Sequence, residues 1–112
     1  MHDAATAAIR RTEECANACL ECYKACLDHL THHCVEVGGP HTEPAHVRLM
    51  MDCIEICRAC ADFCVRNTAN RLDIGPVCAK ICRACAEHCE RLTGMEKCVA
   101  ACRRCADTCL AL

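Results

Sequence analysis

The chain has 112 residues and a net charge of −2, which predicts one domain spanning residues 1–112. The balance of 13 basic and 15 acidic residues argues against binding to nucleic acid. One Tyr, one Phe and no Trp also leave no aromatic platform on which bases could stack. No apolar run reaches the roughly 18 residues of a membrane span, and the absence of serine excludes a serine hydrolase. Leu, Ile, Val and Phe total only 20 residues, too few for a conventional core, whereas 17 residues are Cys. The cysteines must therefore account for both the core and the function of this protein.

Such a cysteine content is typical of secreted disulfide scaffolds, but two features argue against secretion. The chain begins Met1-His2-Asp3-Ala4 and shows no basic region followed by an apolar segment, so no signal peptide is expected. An odd number of cysteines would leave at least one thiol unpaired in a disulfide-bonded monomer. We therefore expect reduced thiols and a cytoplasmic location.

Sixteen cysteines fall into four copies of the pattern Cys-x3-Cys-x2-Cys-x3-Cys, and Cys34 alone lies outside them. In chain order the copies are Cys15/Cys19/Cys22/Cys26, Cys53/Cys57/Cys60/Cys64, Cys78/Cys82/Cys85/Cys89 and Cys98/Cys102/Cys105/Cys109. At about 100° per residue, the four thiols of one copy occupy a stripe roughly 60° wide on one helix face. On a strand they would divide between both faces. Each copy is therefore predicted to be a helix.

Turn residues separate the four predicted helices, which run near residues 3–36, 45–71, 76–92 and 95–111. The turns contain Gly38-Gly39-Pro40, Asp73-Ile74-Gly75-Pro76 and Thr93-Gly94, with Pro76 expected as a first helical residue. Connections this short favour antiparallel neighbours. The predicted fold is all-α, an antiparallel up-down four-helix bundle with a cysteine-lined core. The core is about 16 Å long, which is the rise over the 11 residue steps from the first to the last cysteine of a pattern.

A core of this kind favours metal binding over thiol packing or disulfides. Free cysteines pack as small hydrophobes, but sixteen in register are too many for packing alone, and neighbours four residues apart on a helix are poorly directed for a disulfide. Soft thiolates select Cu(I), and a Cu(I) ion that replaces one thiol proton leaves the core neutral. A Zn(II) ion with four thiolates would bury a charge of −2.

Other thiol chemistries remain open as alternatives at this point. An iron–sulfur electron carrier could use four thiolates from different helices, although ferredoxin runs have a different spacing and a following proline. A zinc or thiol buffer is a further alternative. A thiol-redox enzyme has little support, because the Cys-x2-Cys pairs lie inside helices rather than after a strand. No enzymatic activity is expected.

The two ends of the predicted bundle differ in composition. Small or apolar residues and one asparagine continue the stripes at one end: Ala4, Ala8, Asn67, Ile74 and Leu112. At the other end, candidate secondary ligands suggest an entry mouth for Cu(I): His29, His33, His46, His88, Met50 and Met95. Cys34 is expected near this mouth, about 100° away from the stripe, as a peripheral ligand or a bystander. His2, His32 and His41 are left without a role.

The fourfold Cys-x3-Cys-x2-Cys-x3-Cys pattern, from Cys15 to Cys109, resembles the cytosolic copper storage proteins, which are cysteine-rich four-helix bundles that hold many Cu(I) ions. The resemblance implies that the sixteen cysteines of the pattern bind Cu(I), largely through pairs such as Cys15/Cys19 and Cys60/Cys64. It also implies a homotetramer. Copper ions are the expected partners, with a copper chaperone as a candidate donor or acceptor.

Overall fold

The computed structural model describes residues 2–112 and contains four long helices and no β-strand in that part of the chain. Met1, although included in the predicted domain, lies outside the described residues. Helix α1 spans His2–Asp28, α2 spans Pro44–Val65, α3 spans Arg71–Cys89 and α4 spans Glu96–Leu110. Each helix packs against the next and α4 packs back against α1, which gives a bundle 54 Å long and about 20 Å wide. The predicted all-α four-helix bundle is confirmed.

The cysteine stripes form the core of this bundle. All sixteen cysteines of the four patterns are at most 3% exposed, so the predicted face of each helix points inward. Alanines such as Ala18, Ala61, Ala79 and Ala106 are buried beside them. Because alanine is small, it lets the helices approach closely enough for sulfur atoms of different helices to meet.

The predicted boundaries around the second turn were wrong. Helix α2 ends at Val65 rather than near residue 71, because Asn67 adopts a left-handed conformation with φ of 53°. The amide of Thr68 then donates to the carbonyl of Phe63 at 3.3 Å, as in a Schellman motif. Helix α3 consequently begins at Arg71 and not at Pro76, which lies inside the helix. Pro76 lies in the second turn, where it removes one intrahelical hydrogen bond because it has no amide to donate to the carbonyl of Leu72.

Helix α1 continues beyond Asp28 in a way that the sequence pattern did not predict. Residues His29–Cys34 form a π-helix, and Val35–Val37 return to α-helical geometry. A π turn holds more residues than an α turn, so each residue advances by less than 100°. This change of phase turns Cys34 into the core, where it is 0% exposed, instead of leaving it about 100° off the stripe.

At the end opposite this segment, which we call the closed end, Ile74 and Leu112 pack against the core as predicted, whereas Ala4 and Asn67 are exposed. Gly75 lies where α3 meets the end of α4, and a Cβ there would lie 3.1 Å from both the Cys109 carbonyl oxygen and Leu112 Cδ1. Within residues 2–112, no helix is both long enough and apolar enough to cross a membrane.

Candidate metal centre

Twelve of the core cysteines form four overlapping groups of four thiols. Within each group all four sulfur atoms lie within 4.8 Å of one another, and every member is buried. From the closed end towards the mouth, the groups are Cys15/Cys19/Cys60/Cys109, Cys19/Cys78/Cys105/Cys109, Cys22/Cys57/Cys82/Cys105 and Cys22/Cys26/Cys53/Cys102. Because neighbouring groups share members, the thiols form one continuous column along the bundle axis, which we call the thiol column.

Sulfur atoms meet both along helices and between them. Pairs four residues apart, such as Cys15/Cys19 and Cys105/Cys109, have sulfur–sulfur distances of 3.9 and 4.0 Å. The shortest contacts join different helices, with 3.4 Å for Cys57/Cys82 and 3.4 Å for Cys19/Cys105. All seventeen cysteines are free thiols in this structure. The column therefore presents closely spaced, reduced sulfur donors from all four helices.

Burial and hydrogen bonding set the protonation of these thiols. Burial is the largest cause that raises the pKa of Cys64, to about 12, followed by the neighbouring charge of Cys15. In the middle of the column, thiol hydrogen bonds from Cys102 and Cys22 lower the pKa of Cys53 instead. Thus a thiolate that forms among neighbouring thiols is stabilised by their S–H groups, while an isolated buried thiol keeps its proton.

Four pattern cysteines lie outside the four-thiol groups. Cys64 is at the closed end, and Cys98 donates to the carbonyl of Ala25 at 3.4 Å. Cys85 and Cys89 lie nearer the mouth, and the sulfur of each is 3.6 Å from the Met50 thioether. Cys85, Cys89 and Met50 therefore form a donor set of two thiols and one neutral thioether.

Cys34 forms a second mixed group at the mouth. Its sulfur lies 3.3 Å from Nε2 of His46 and 3.8 Å from the sulfur of Met95. Burial raises the pKa of the Cys34 thiol, and it lowers the pKa of His46, with a further contribution from His88. Both groups are consequently neutral near pH 7, and a soft cation would meet sulfur, nitrogen and sulfur donors together.

Five histidine rings lead from the surface to this mixed group. Successive ring centroids are 6.0 Å apart for His29/His33, 5.2 Å for His33/His41, 6.2 Å for His41/His46 and 5.1 Å for His46/His88. Three ring nitrogens in the series are buried without a hydrogen-bond partner: Nδ1 of His41, Nδ1 of His46 and Nε2 of His88. Unpaired buried nitrogens are costly unless something binds them.

His41 is the residue of this series that sequence reasoning missed. It is 4% exposed and lies in the 3₁₀ turn Gly39–Thr42, which folds back over the mouth. The signal that could have found it is the Gly38-Gly39-Pro40 run, because a chain reversal there returns the next residues to the end of the bundle.

Two histidines also hold the loop between α3 and α4. Nε2 of His33 and Nε2 of His41 each donate to the carbonyl oxygen of Thr93, at 2.9 Å. Gly94 follows with a φ of 77°, and a Cβ at this position would lie 2.4 Å from Cε1 of the His33 ring. The loop is thereby fixed beside Met95, at the entrance to the thiol column.

We expect Gly94→Ala to lower the free energy of unfolding by about 2 kcal/mol, because the backbone is left-handed and the His33 ring must move. Gly39→Ala is the matched control. Its φ is 55° and nothing lies within 4 Å of the added Cβ, so it isolates the backbone cost. Urea denaturation of both variants measures the difference, and equal losses would show that the His33 contact contributes nothing.

The comparisons with known proteins agree with this geometry. The family model for copper storage proteins matches residues 1–112. The chain belongs to the copper storage protein family. Among curated proteins, no significant match was found.

Solved structures related to this copper storage family member share its fold. A crystal structure of a protein from Nitrosospira multiformis is 45% identical, with a TM-score of 0.87 over 89% of this chain and 92% of that chain. The Cu(I)-bound copper storage protein BsCsp3 is 30% identical, with a TM-score of 0.81 over 90% of this chain and 96% of that one. Apo copper storage protein 3 from Bacillus subtilis is 31% identical, with a TM-score of 0.72 over 89% and 96% of the two chains.

Proposed function

We propose that this protein stores Cu(I) in the thiol column, at about one ion per thiol. The observation that carries the proposal is the arrangement of twelve buried cysteines into four groups whose sulfur atoms lie within 4.8 Å of each other. The sixteen pattern cysteines are the proposed core ligands. The similarity to a Cu(I)-bound relative supports the same cargo for this chain.

Charge favours Cu(I) as the ion that fills the column. Each Cu(I) ion that displaces one thiol proton leaves the buried column neutral, so many ions can enter without a growing Coulombic cost. Each Zn(II) ion held by four thiolates would add a charge of −2 inside the bundle. A zinc buffer is therefore the second candidate, limited to few ions.

The spacing of the thiols opposes the iron–sulfur alternative. Four sulfur atoms that all lie within 4.8 Å of each other enclose room for a single ion. An iron–sulfur cluster between four thiolates would have to bring several irons and its own sulfides into the same space. The helices would have to separate to admit it.

The mouth residues are proposed as the entry path for copper. His29 and His33 would pass the ion inward from the surface, and the more deeply placed residues would receive it before it reaches the four-thiol groups: His88, Cys34, His46, Met50 and Met95. Support comes from the series of histidine rings and from the three unpaired nitrogens, including that of His41. At the opposite end the apolar side chains of Ile74 and Leu112 pack against the core instead.

The protein is proposed to act as a store rather than an enzyme. Its thiols are at most 3% exposed, which leaves none of them within reach of an organic substrate. A reducing compartment such as the cytoplasm would keep these thiols available. We further propose a single domain, a homotetramer and exchange with a copper chaperone. Exposed apolar residues such as Val65 (71%) and Val35 (61%) offer surface for contacts between copies.

Proton release during loading tests the proposed chemistry. We expect about one proton per Cu(I) ion, because a Cu(I) ion that displaces one thiol proton leaves the buried column neutral. The measurement is an anaerobic addition of Cu(I) to reduced protein in a weakly buffered solution with a pH indicator. The same experiment with Zn(II) should release up to about four protons per ion. Release of three or four protons per Cu(I) would contradict neutral filling.

A further inference from the structure

Two methionine side chains stand between the surface and the thiol column. Met50 and Met95 are both 0% exposed. The Met50 sulfur is 3.6 Å from the sulfur of Cys85 and from that of Cys89, and the Met95 sulfur is 3.8 Å from that of Cys34. A thioether cannot ionise, so it contributes a soft donor without any negative charge.

The column itself does not reject Zn(II) by shape. Tetrahedral zinc with zinc–sulfur bonds of about 2.3 Å needs sulfur atoms about 3.8 Å apart. Sulfur–sulfur contacts in the column run from 3.4 Å for Cys57/Cys82 to 4.0 Å for Cys105/Cys109. The charge of −2 per ion penalises a column filled with zinc, but it does not prevent the first ions from binding. The column by itself therefore does not exclude the first Zn(II) ions.

We propose that Met50 and Met95 determine selectivity for Cu(I) over Zn(II) at the mouth, an inference that rests on the proposed storage function. When Cu(I) binds Cys34, the thiol proton leaves to solvent and the sulfur–metal bond forms. The group of Cys34, His46 and Met95 then holds one positive and one negative charge and is neutral. Zn(II) at the same donors would leave a net charge of +1 in a buried site. At Cys85 and Cys89 two thiolates could neutralise Zn(II), so Met50 discriminates there through its soft thioether donor and not through charge.

The methionine donors also differ in softness from the ligands that zinc prefers. Cu(I) accepts thioether sulfur, whereas structural zinc sites use thiolate, imidazole and carboxylate. A zinc ion at the mouth would therefore find at most two of its usual ligands in the Cys34 group, namely Cys34 and His46. Replacing the thioethers with imidazole would supply the missing donors without changing the thiol column.

The test compares metal uptake by the full-length, reduced apoprotein and by three variants under anaerobic conditions. One variant is Met50→Leu/Met95→Leu, which removes the sulfur atoms at nearly constant volume. The second is Met50→His/Met95→His, and the third is the control Met51→Leu, because Met51 is adjacent but 42% exposed. Each protein is mixed with Cu(I) or with Zn(II) alone, and the initial rate and the final metal content are measured. Circular dichroism establishes that each variant is folded.

We expect the leucine variant to take up Cu(I) about tenfold more slowly, with Zn(II) uptake unchanged, and the histidine variant to take up Zn(II) about tenfold faster. Met51→Leu should match the unaltered protein. The inference is overturned if the leucine variant slows both metals equally, which would indicate a steric role, or if the unaltered protein takes up Zn(II) as fast as Cu(I). Failure of the storage function is distinguishable, because the unaltered protein would then bind few Cu(I) ions at the endpoint.

Discussion

Loading the reduced protein with Cu(I) is expected to raise its melting temperature by at least about 20 °C. Only the folded bundle brings thiols of different helices within 4.8 Å, so copper binds the folded state far more tightly than the unfolded chain. Each site occupied at a thousand times its dissociation constant adds about 4 kcal/mol to the free energy of unfolding. For a domain of about 100 residues, each kcal/mol corresponds to at least about 4 °C.

The apoprotein has few large apolar side chains to stabilise it, so bound copper should dominate the melting temperature. Its buried core consists mainly of cysteine and alanine, with Ile54, Leu30, Met50 and Met95 as its larger apolar members. Thermal unfolding followed by circular dichroism, with and without bound Cu(I) in the same anaerobic buffer, measures the shift. A midpoint that stays within a few degrees after loading, consistent with about 1 kcal/mol or less, would mean that copper binds at the surface and not between the helices.

The double variant Cys22→Ala/Cys105→Ala should lose more copper capacity than the two thiols it removes. Each of these cysteines belongs to two four-thiol groups, and together they belong to three of the four. An ion held between several thiols loses affinity when any one of them is absent, so the loss spreads to neighbouring ions. Anaerobic loading followed by metal analysis gives the capacity.

The matched control is Cys64→Ala/Cys98→Ala, which also removes two thiols but none from a four-thiol group. We expect this variant to lose about two ions, in keeping with one ion per thiol. Each variant deletes two sulfur atoms from buried positions, so their costs in stability should be similar, about 1–2 kcal/mol in total. Equal losses of copper from the two variants would show that the thiols act independently, and the proposed cooperation within groups would be wrong.

The fold could be predicted from the cysteine spacing because the helical repeat of 3.6 residues leaves one solution for the offsets 0, 4, 7 and 11. All sixteen thiols of the pattern are buried as this solution requires. The boundary between α2 and α3 was not predictable by the same reasoning. It depends on the left-handed conformation of Asn67 and on the presence of Pro76 inside α3. Neither feature leaves a trace in the periodic spacing of apolar residues from which the helices were predicted.

The mouth was predictable in composition but not in geometry. The histidines and methionines do gather at one end, yet constant α-helical periodicity placed Cys34 off the stripe. The π-helix His29–Cys34 brings its sulfur to 3.3 Å from His46 Nε2. His41 was missed because it lies in a turn, where contacts depend on the path of the chain. Long-range pairs of this kind are set by packing of the whole bundle, and no local pattern encodes them.

The most direct test of copper storage is an anaerobic titration of the reduced apoprotein with Cu(I) in competition with a chromogenic chelator. We predict tight uptake until about one ion is bound per thiol, or roughly 16 ions for the pattern cysteines. The coloured complex of Cu(I) with the chelator should not form before that point. Uptake that stops after a few ions would contradict a storage column and would instead indicate a transfer site confined to the mouth.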